Sequence, residues 1–227
     1  MRAIRLGALF PRHLNLNGDV SNREVLARYL GWLGYQVELV DLDGRVQPQA
    51  ASVDFLVIGH GSIAAWNSIR VEFEALANDL QNSLEQGVEV LAVASGRDAL
   101  LRKTKSTPSH LPAIGLVERE FEAGPSLSRF EVASHLEIAA GTSILGYLNT
   151  RMNEPVLDRI GCLTITSLHG PVLSRNLEWL HELAMRLVVR AGGQMVQLEV
   201  ALKNEETALF GDLIQKIRAL EIPLAGE

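Results

Sequence analysis

One stretch constrains the chain more than any other: Gly87-Val-Glu-Val-Leu-Ala-Val-Ala-Ser-Gly-Arg-Asp-Ala-Leu-Leu101. Val88 to Val93 is a short apolar, β-branched-rich run broken only by Glu89, the pattern of a strand buried on both faces of a parallel sheet. Small residues follow, Ala94-Ser95-Gly96, and then a helix-like Asp98-Ala-Leu-Leu101. A strand entering a tight turn of small residues and leaving as a helix predicts a nucleophile elbow, which lifts one side chain to the carboxyl edge of the sheet. The helix start there is expected to favour negative charge. Gly96 is the close-approach glycine of such an elbow, but the raised residue two positions earlier is Ala94, which carries no nucleophile.

The flanking sequence predicts alternating strands and helices. Ile4–Phe10, Gln36–Leu42 and Asp54–Ile58 read as strands, and the third ends in Gly59-His60-Gly61. Ser21-Asn-Arg-Glu24 fits a capping box and starts a helix whose apolar positions run to Leu33, with Gly34 as its stop. Phe73, Leu76, Leu80 and Leu84 predict one long second helix closed by Gly87. This order implies parallel βαβ units. Beyond residue 105 the pattern changes. Phe130, Val132, Ser134, Leu136 and Ile138 alternate with Glu131, Ala133, His135 and Glu137 as in a half-buried strand, and short strands continue to His169. A helix is expected over Asn176–Arg190 and a last amphipathic one over Thr207–Leu220, bearing Leu209, Leu213, Ile214 and Ile217. The tail either packs on its own domain or docks a partner.

Composition excludes several classes. Apolar residues make up 47% of the 227, enough for a full core. A net charge of −6 argues against nucleic acid and anionic membrane, which call for a basic face. The run Leu6–Phe10 is too short for a secretory core, and no stretch reaches the roughly 20 apolar residues of a membrane span. The single cysteine, Cys162, suits a reducing, cytoplasmic setting and reads as a small buried hydrophobe in a Leu/Ile/Thr strand. The histidines lack paired spacing, so no metal site and no cofactor is expected. Gly59-His60-Gly61 is too short for a dinucleotide fingerprint and no Walker motif occurs, which leaves any nucleotide chemistry to a partner.

The elbow resembles the Leu-x-Ile-Cys-Gly-Gly-Tyr-Gln elbow of class I, triad-type glutamine amidotransferases. The likeness is to the branch with cobyric acid synthase and the glutaminase subunit of lipid II isoglutaminyl synthase. Further likenesses fall in family order over roughly residues 1–190. They are Leu14-Asn-Leu-Asn-Gly-Asp19 with Asn22, Ile58-Gly-His-Gly-Ser62, Leu111-Pro-Ala-Ile-Gly-Leu116, and Leu168-His-Gly-Pro-Val-Leu173 with Asn176. The resemblance implies an α/β, flavodoxin-like three-layer sandwich with a mainly parallel central sheet and an antiparallel extension. It implies an amidotransferase-like domain over 1–190, with 191–227 a C-terminal extension carrying an amphipathic helix.

The same resemblance implies site residues. His169 falls on the catalytic base and Ala94 on the missing Cys nucleophile. Gly59, His60 and Gly61 fall on the loop that supplies an oxyanion-hole N–H, and His60 replaces a glycine there. Arg129 falls on an arginine facing the glutamine carboxylate. Ser95 lies one residue past the apex and reads as a turn or cap hydroxyl, while Arg97 and Asp98 replace Tyr-Gln. Pro171 stands where many members carry the carboxylate that orients the histidine; in the His-Gly-Pro branch that group is thought to come from the partner ligase. These residues predict a glutaminase-type subunit without its nucleophile. By resemblance its partner is a Mur-ligase-like ATP-dependent amide synthetase acting on cell-wall precursors, and its ligand is glutamine or a related amino acid. Two alternatives stay open: a hydrolase or transferase using His169 without a cysteine, and a small-molecule sensor using the same pocket.

Overall fold

Strand alternation dictates the layering. The computed structural model describes residues 1–43, 52–105, 107–120, 123–134, 143–152 and 155–225. Its elements begin with β1 (Ile4–Leu9), α1 (Ser21–Trp32), β2 (Val37–Leu42) and β3 (Phe55–Ile58). Next come α2 (Ile63–Ala75), α3 (Ala77–Glu85), β4 (Glu89–Val93) and the single turn α4 (Ser95–Asp98). A pair of short strands, β5 (Leu101–Arg102) and β6 (Val117–Glu120), precedes β7 (Ala123–Ser134) and β8 (Ser143–Met152). The chain then runs through β9 (Leu157–Ile160), β10 (Leu163–Thr166), β11 (Leu168–His169), α5 (Leu177–Arg190), α6 (Leu198–Ala201) and α7 (Glu205–Glu221).

The central sheet has the order β2-β1-β3-β4-β10-β9, parallel throughout except for β9 at one edge. Phe55, Val57, Leu91 and Val93 face one side, with Leu26, Tyr29 and Leu30 of α1 and Leu180, Leu183 and Leu187 of α5. Their neighbours Leu56, Ile58, Val90 and Ala92 face the other, with Trp66, Ile69 and Phe73 of α2 and Leu80 of α3. Both faces of each inner strand are therefore covered, which is why these strands read as apolar runs. The fold is a three-layer α/β sandwich, and an antiparallel sheet β11-β8-β7 extends it.

Three local expectations are corrected. The capping box at Ser21 does not form: Val20 occupies the N-cap position without a side-chain bond. The loop before it already turns helically, with Ser21 N–H donating to Gly18 O and Asn22 N–H to Asp19 O, while Glu24 pairs with Arg23. The second helix is two helices, broken at Leu76. Cys162 is half-exposed in the turn before β10 rather than buried within a strand. The alternation beyond Ser134, with Leu136 and Ile138, lies outside the described residues.

The C-terminal helix packs on its own domain. Ile214 is buried, Phe210 meets the Trp32 ring at 5.4 Å, and Gly211 lets Leu177 and Leu202 approach α7. Leu209 and Leu213 stay exposed. Arg218 donates to Arg175 O, Asn176 Oδ1, Ser143 O and Ser143 Oγ at 2.7–3.1 Å, tying α7 to the turn before α5 and to β8. Arg218→Ala removes donors from several partly buried acceptors and is expected to cost about 2 kcal/mol. Thermal melting should register a drop of roughly 6 °C; an unchanged melting temperature would show that α7 adds nothing to domain stability.

Candidate functional site

The carboxyl ends of β3 and β4 build the site. Ala94 follows β4 with φ 49° and ψ −117°, a strained conformation for a residue with a Cβ. That backbone is what raises a side chain at a strand-to-helix elbow, and the raised group is a methyl. The helix beyond it, α4, is one turn long, so the expected electrostatic help from a helix dipole is small. Gly96 lies against the backbone oxygens of Ile58 and Gly59, where a side chain has no room.

The backbone N–H groups of Ser95, His60 and Gly61 each have an internal partner. Ser95 N–H donates to Nδ1 of His60 at 3.3 Å. Gly61 N–H and the Trp66 indole N–H donate to Ser95 Oγ at 3.0 and 2.9 Å. The Ser95 hydroxyl is thus a clamp between the elbow, the loop after β3 and α2, rather than the turn or cap hydroxyl expected. His60 N–H donates to Asp19 Oδ2 at 3.0 Å, and Gly170 N–H donates to Asp19 Oδ1 at 2.9 Å. Asp19 is fully buried and joins the loop after β3 to the loop after β11. Asn22 reinforces this joint, donating to Asp19 O and Gly170 O and accepting from Leu173 N–H.

His169 comes to the cavity but has no free ring nitrogen. Its Nε2 meets Asn149 O at 2.8 Å and its Nδ1 meets the Asn17 amide at 2.5 Å. Nε2 donates to the carbonyl, so Nδ1 accepts from Asn17. The His60 ring stands edge-on to it with centroids 4.9 Å apart. Burial lowers the His60 pKa to about 4, helped by the neighbouring His169 and opposed by Asp19. Beside them Arg97 is buried, donating through Nε and Nη2 to Asp98 Oδ1 at 2.9 and 2.7 Å and through Nη1 to Ser167 Oγ. Burial pushes the Asp98 carboxyl up against the pull of Arg97.

These side chains enclose a cavity of about 290 Å³ over Ala94, walled by His60, Ser95, Asp98, His110, Ser167 and His169 among others. That size lies at the lower end for small-molecule sites. Gly61 also lines it, whereas Arg129 does not; Arg129 pairs with Glu131 two residues along β7. Asn17, His110, Asn149 and Ser167 escaped the sequence reading. Ser167 lies two residues before His169 and Asn17 lies within the Leu14–Asp19 stretch, but nothing in either position announces its partner. Among the described residues no cluster of three His, Cys, Asp or Glu is placed to hold a metal ion, and no helix is long and apolar enough to cross a membrane.

The depressed pKa of His60 has a stability consequence. Unfolded, the imidazole takes up its proton near pH 6.5; folded, only near 4. Between those values the unfolded chain binds more protons, so stability falls as the pH drops. The wild-type melting temperature is expected to decline more steeply from pH 7 to 5 than that of His60→Gln. Parallel curves would show that His60 titrates normally.

Fold and site together define a three-layer α/β sandwich with a strand-to-helix elbow whose apex is alanine. Comparison with solved structures finds a glutamine amidotransferase from Thermotoga maritima similar over 96% of this chain and 98% of that one, at 12% identity and a TM-score of 0.49. A second, the protein VC2308, is similar over 89% of this chain and 97% of that one, at 13% identity and a TM-score of 0.38. No protein-family model matches the chain, and no curated protein matches it in sequence.

Proposed function

We propose that this chain is a glutaminase-type domain that keeps a ligand pocket and has lost hydrolysis, serving as a binding or regulatory subunit. One observation carries the reading: the elbow apex, Ala94 at φ 49°, offers a methyl where acyl transfer from glutamine requires a nucleophile. The surroundings support it. The Ser95 N–H is occupied by His60, and both nitrogens of His169 are occupied by Asn17 and Asn149. An oxyanion hole needs unoccupied donors and a general base needs a free lone pair. The same occupancy weighs against a cysteine-free hydrolase built on His169.

The Leu168-His-Gly-Pro171 likeness points to a Mur-ligase-like amide synthetase of cell-wall precursors as the partner, with glutamine or a related amino acid as the ligand. Ammonia release from glutamine, measured on the protein alone and with a co-purified partner, tests this. The expected result is background release, with glutamine binding visible by calorimetry. Release well above background that disappears in His169→Ala would overturn the reading. Binding of an amino acid by a protein that co-purifies with no synthetase would favour a stand-alone sensor.

A further inference from the structure

A backbone amide can only donate, so the imidazole nitrogen it meets must be a bare lone pair. Ser95 N–H therefore fixes Nδ1 of His60 as an acceptor. A neutral imidazole carries one proton, which places it on Nε2. Burial holds the ring neutral near pH 7. Nε2 has no hydrogen-bond partner among the described residues, yet it is not sealed from solvent, and His60 lines the cavity. The fold has thus exchanged a backbone donor at the elbow for a side-chain donor one ring further out. On another wall, Asp98 gives Oδ1 to Arg97 and keeps Oδ2 as an acceptor without a partner among the described residues.

We propose that His60 reads the ligand, taking the Ser95 N–H on Nδ1 and offering Nε2–H to the carbonyl oxygen of a neutral primary carboxamide above the Ala94 methyl. The amide NH2 of that ligand is the group the Asp98 carboxylate accepts from. A carboxylate ligand has no proton to give the Asp98 acceptor, so the site discriminates between amide and acid. This rests on the cavity being a binding site, as in the proposed function, and adds which residue selects the ligand.

Long-range proton–nitrogen NMR reads the tautomer directly, with His60 assigned by its loss in His60→Gln. The expected spectrum has a bare Nδ1 and a protonated Nε2. Titration with acetamide should move the Nε2–H signal saturably, and acetate should need at least about tenfold higher concentration, the worth of one good hydrogen bond. His60→Asn sets its side-chain oxygen where Nδ1 lies, keeping the Ser95 bond but losing the outer donor; it should weaken acetamide binding about tenfold. His60→Gln, whose amide reaches the Nε2 position, should retain most of it. A protonated Nδ1, equal binding of acetate and acetamide, or unchanged acetamide binding in His60→Asn would each overturn the proposal. If acetamide behaves as expected and L-glutamine does not bind, the role of His60 stands and the amidotransferase-like ligand fails.

Discussion

Ala94→Cys alone is expected to leave glutamine hydrolysis at background, and adding His60→Gly is expected to raise it about a hundredfold over the single variant. The single change supplies a thiol at the apex of an elbow already in the required strained conformation. It does not free the Ser95 N–H, which His60 holds at 3.3 Å. One missing oxyanion donor costs roughly a hundred- to a thousandfold in rate. Removing the imidazole releases that donor; the outer Nε2–H is lost with it, so the gain is expected in turnover at saturating glutamine while glutamine binding weakens. Release of ammonia from glutamine by the two variants, compared at equal concentration, checks this. A fully active Ala94→Cys single variant would mean that His60 does not block the site. A double variant no faster than the single would place the block elsewhere, with the Asn17–His169 bond the next to examine.

Gly59→Ala and Gly96→Ala should each destabilise the fold by about 3 kcal/mol or more, because nothing near them can yield cheaply. A Cβ at Gly59 would run into the Leu14 carbonyl oxygen and lie 3.0 Å from Asp19 Cβ. A Cβ at Gly96 would run into Ile58 O and lie 2.6 Å from Gly59 O. Apart from Asp19 Cβ these are backbone atoms of the loop after β1 and of the end of β3 with the loop that follows it, held in place by Asp19 and Ser95. Denaturant melts should show the loss, and melting temperatures should fall by roughly 6–12 °C. Gly31→Ala is the opposite control. That glycine lies in α1 with nothing within 4 Å of its added Cβ, so alanine should stabilise by about 0.5–1 kcal/mol. If all three variants melted alike, the close approach of the loops would be wrong.

The legible part of this protein was its local order. Strands buried on both faces are apolar at nearly every position, so β3 and β4 stand out as runs, broken only by Glu89, whose charge Arg159 and Arg186 meet, and parallel pairing follows from the helices between them. The elbow was legible because strand, small residues and glycine are consecutive, and so was the missing nucleophile at Ala94. Gly34 and Gly87, with φ of +84° and +77°, mark the chain reversals that their positions predicted. Local pattern misled at Ser21, where the capping motif is present but the loop hydrogen bonds of Gly18 and Asp19 leave it no work.

Tertiary structure alone decided what the polar residues do. His60 and Ser95 are 35 residues apart, Asn17 and His169 are 152 apart, and Asp19 bridges residues 60 and 170. A hydrogen bond depends on distance and direction in space, and neither leaves a periodic trace in the chain, as burial does along a strand. Arg97 shows the difference: nothing in its place beside Asp98 announces burial, yet it is among the largest fully buried side chains, its charge met by that aspartate and by Ser167. The residue types at the elbow therefore stated that its apex carries no cysteine, and the packing of the loops decided that the Ser95 N–H and both ring nitrogens of His169 are already engaged.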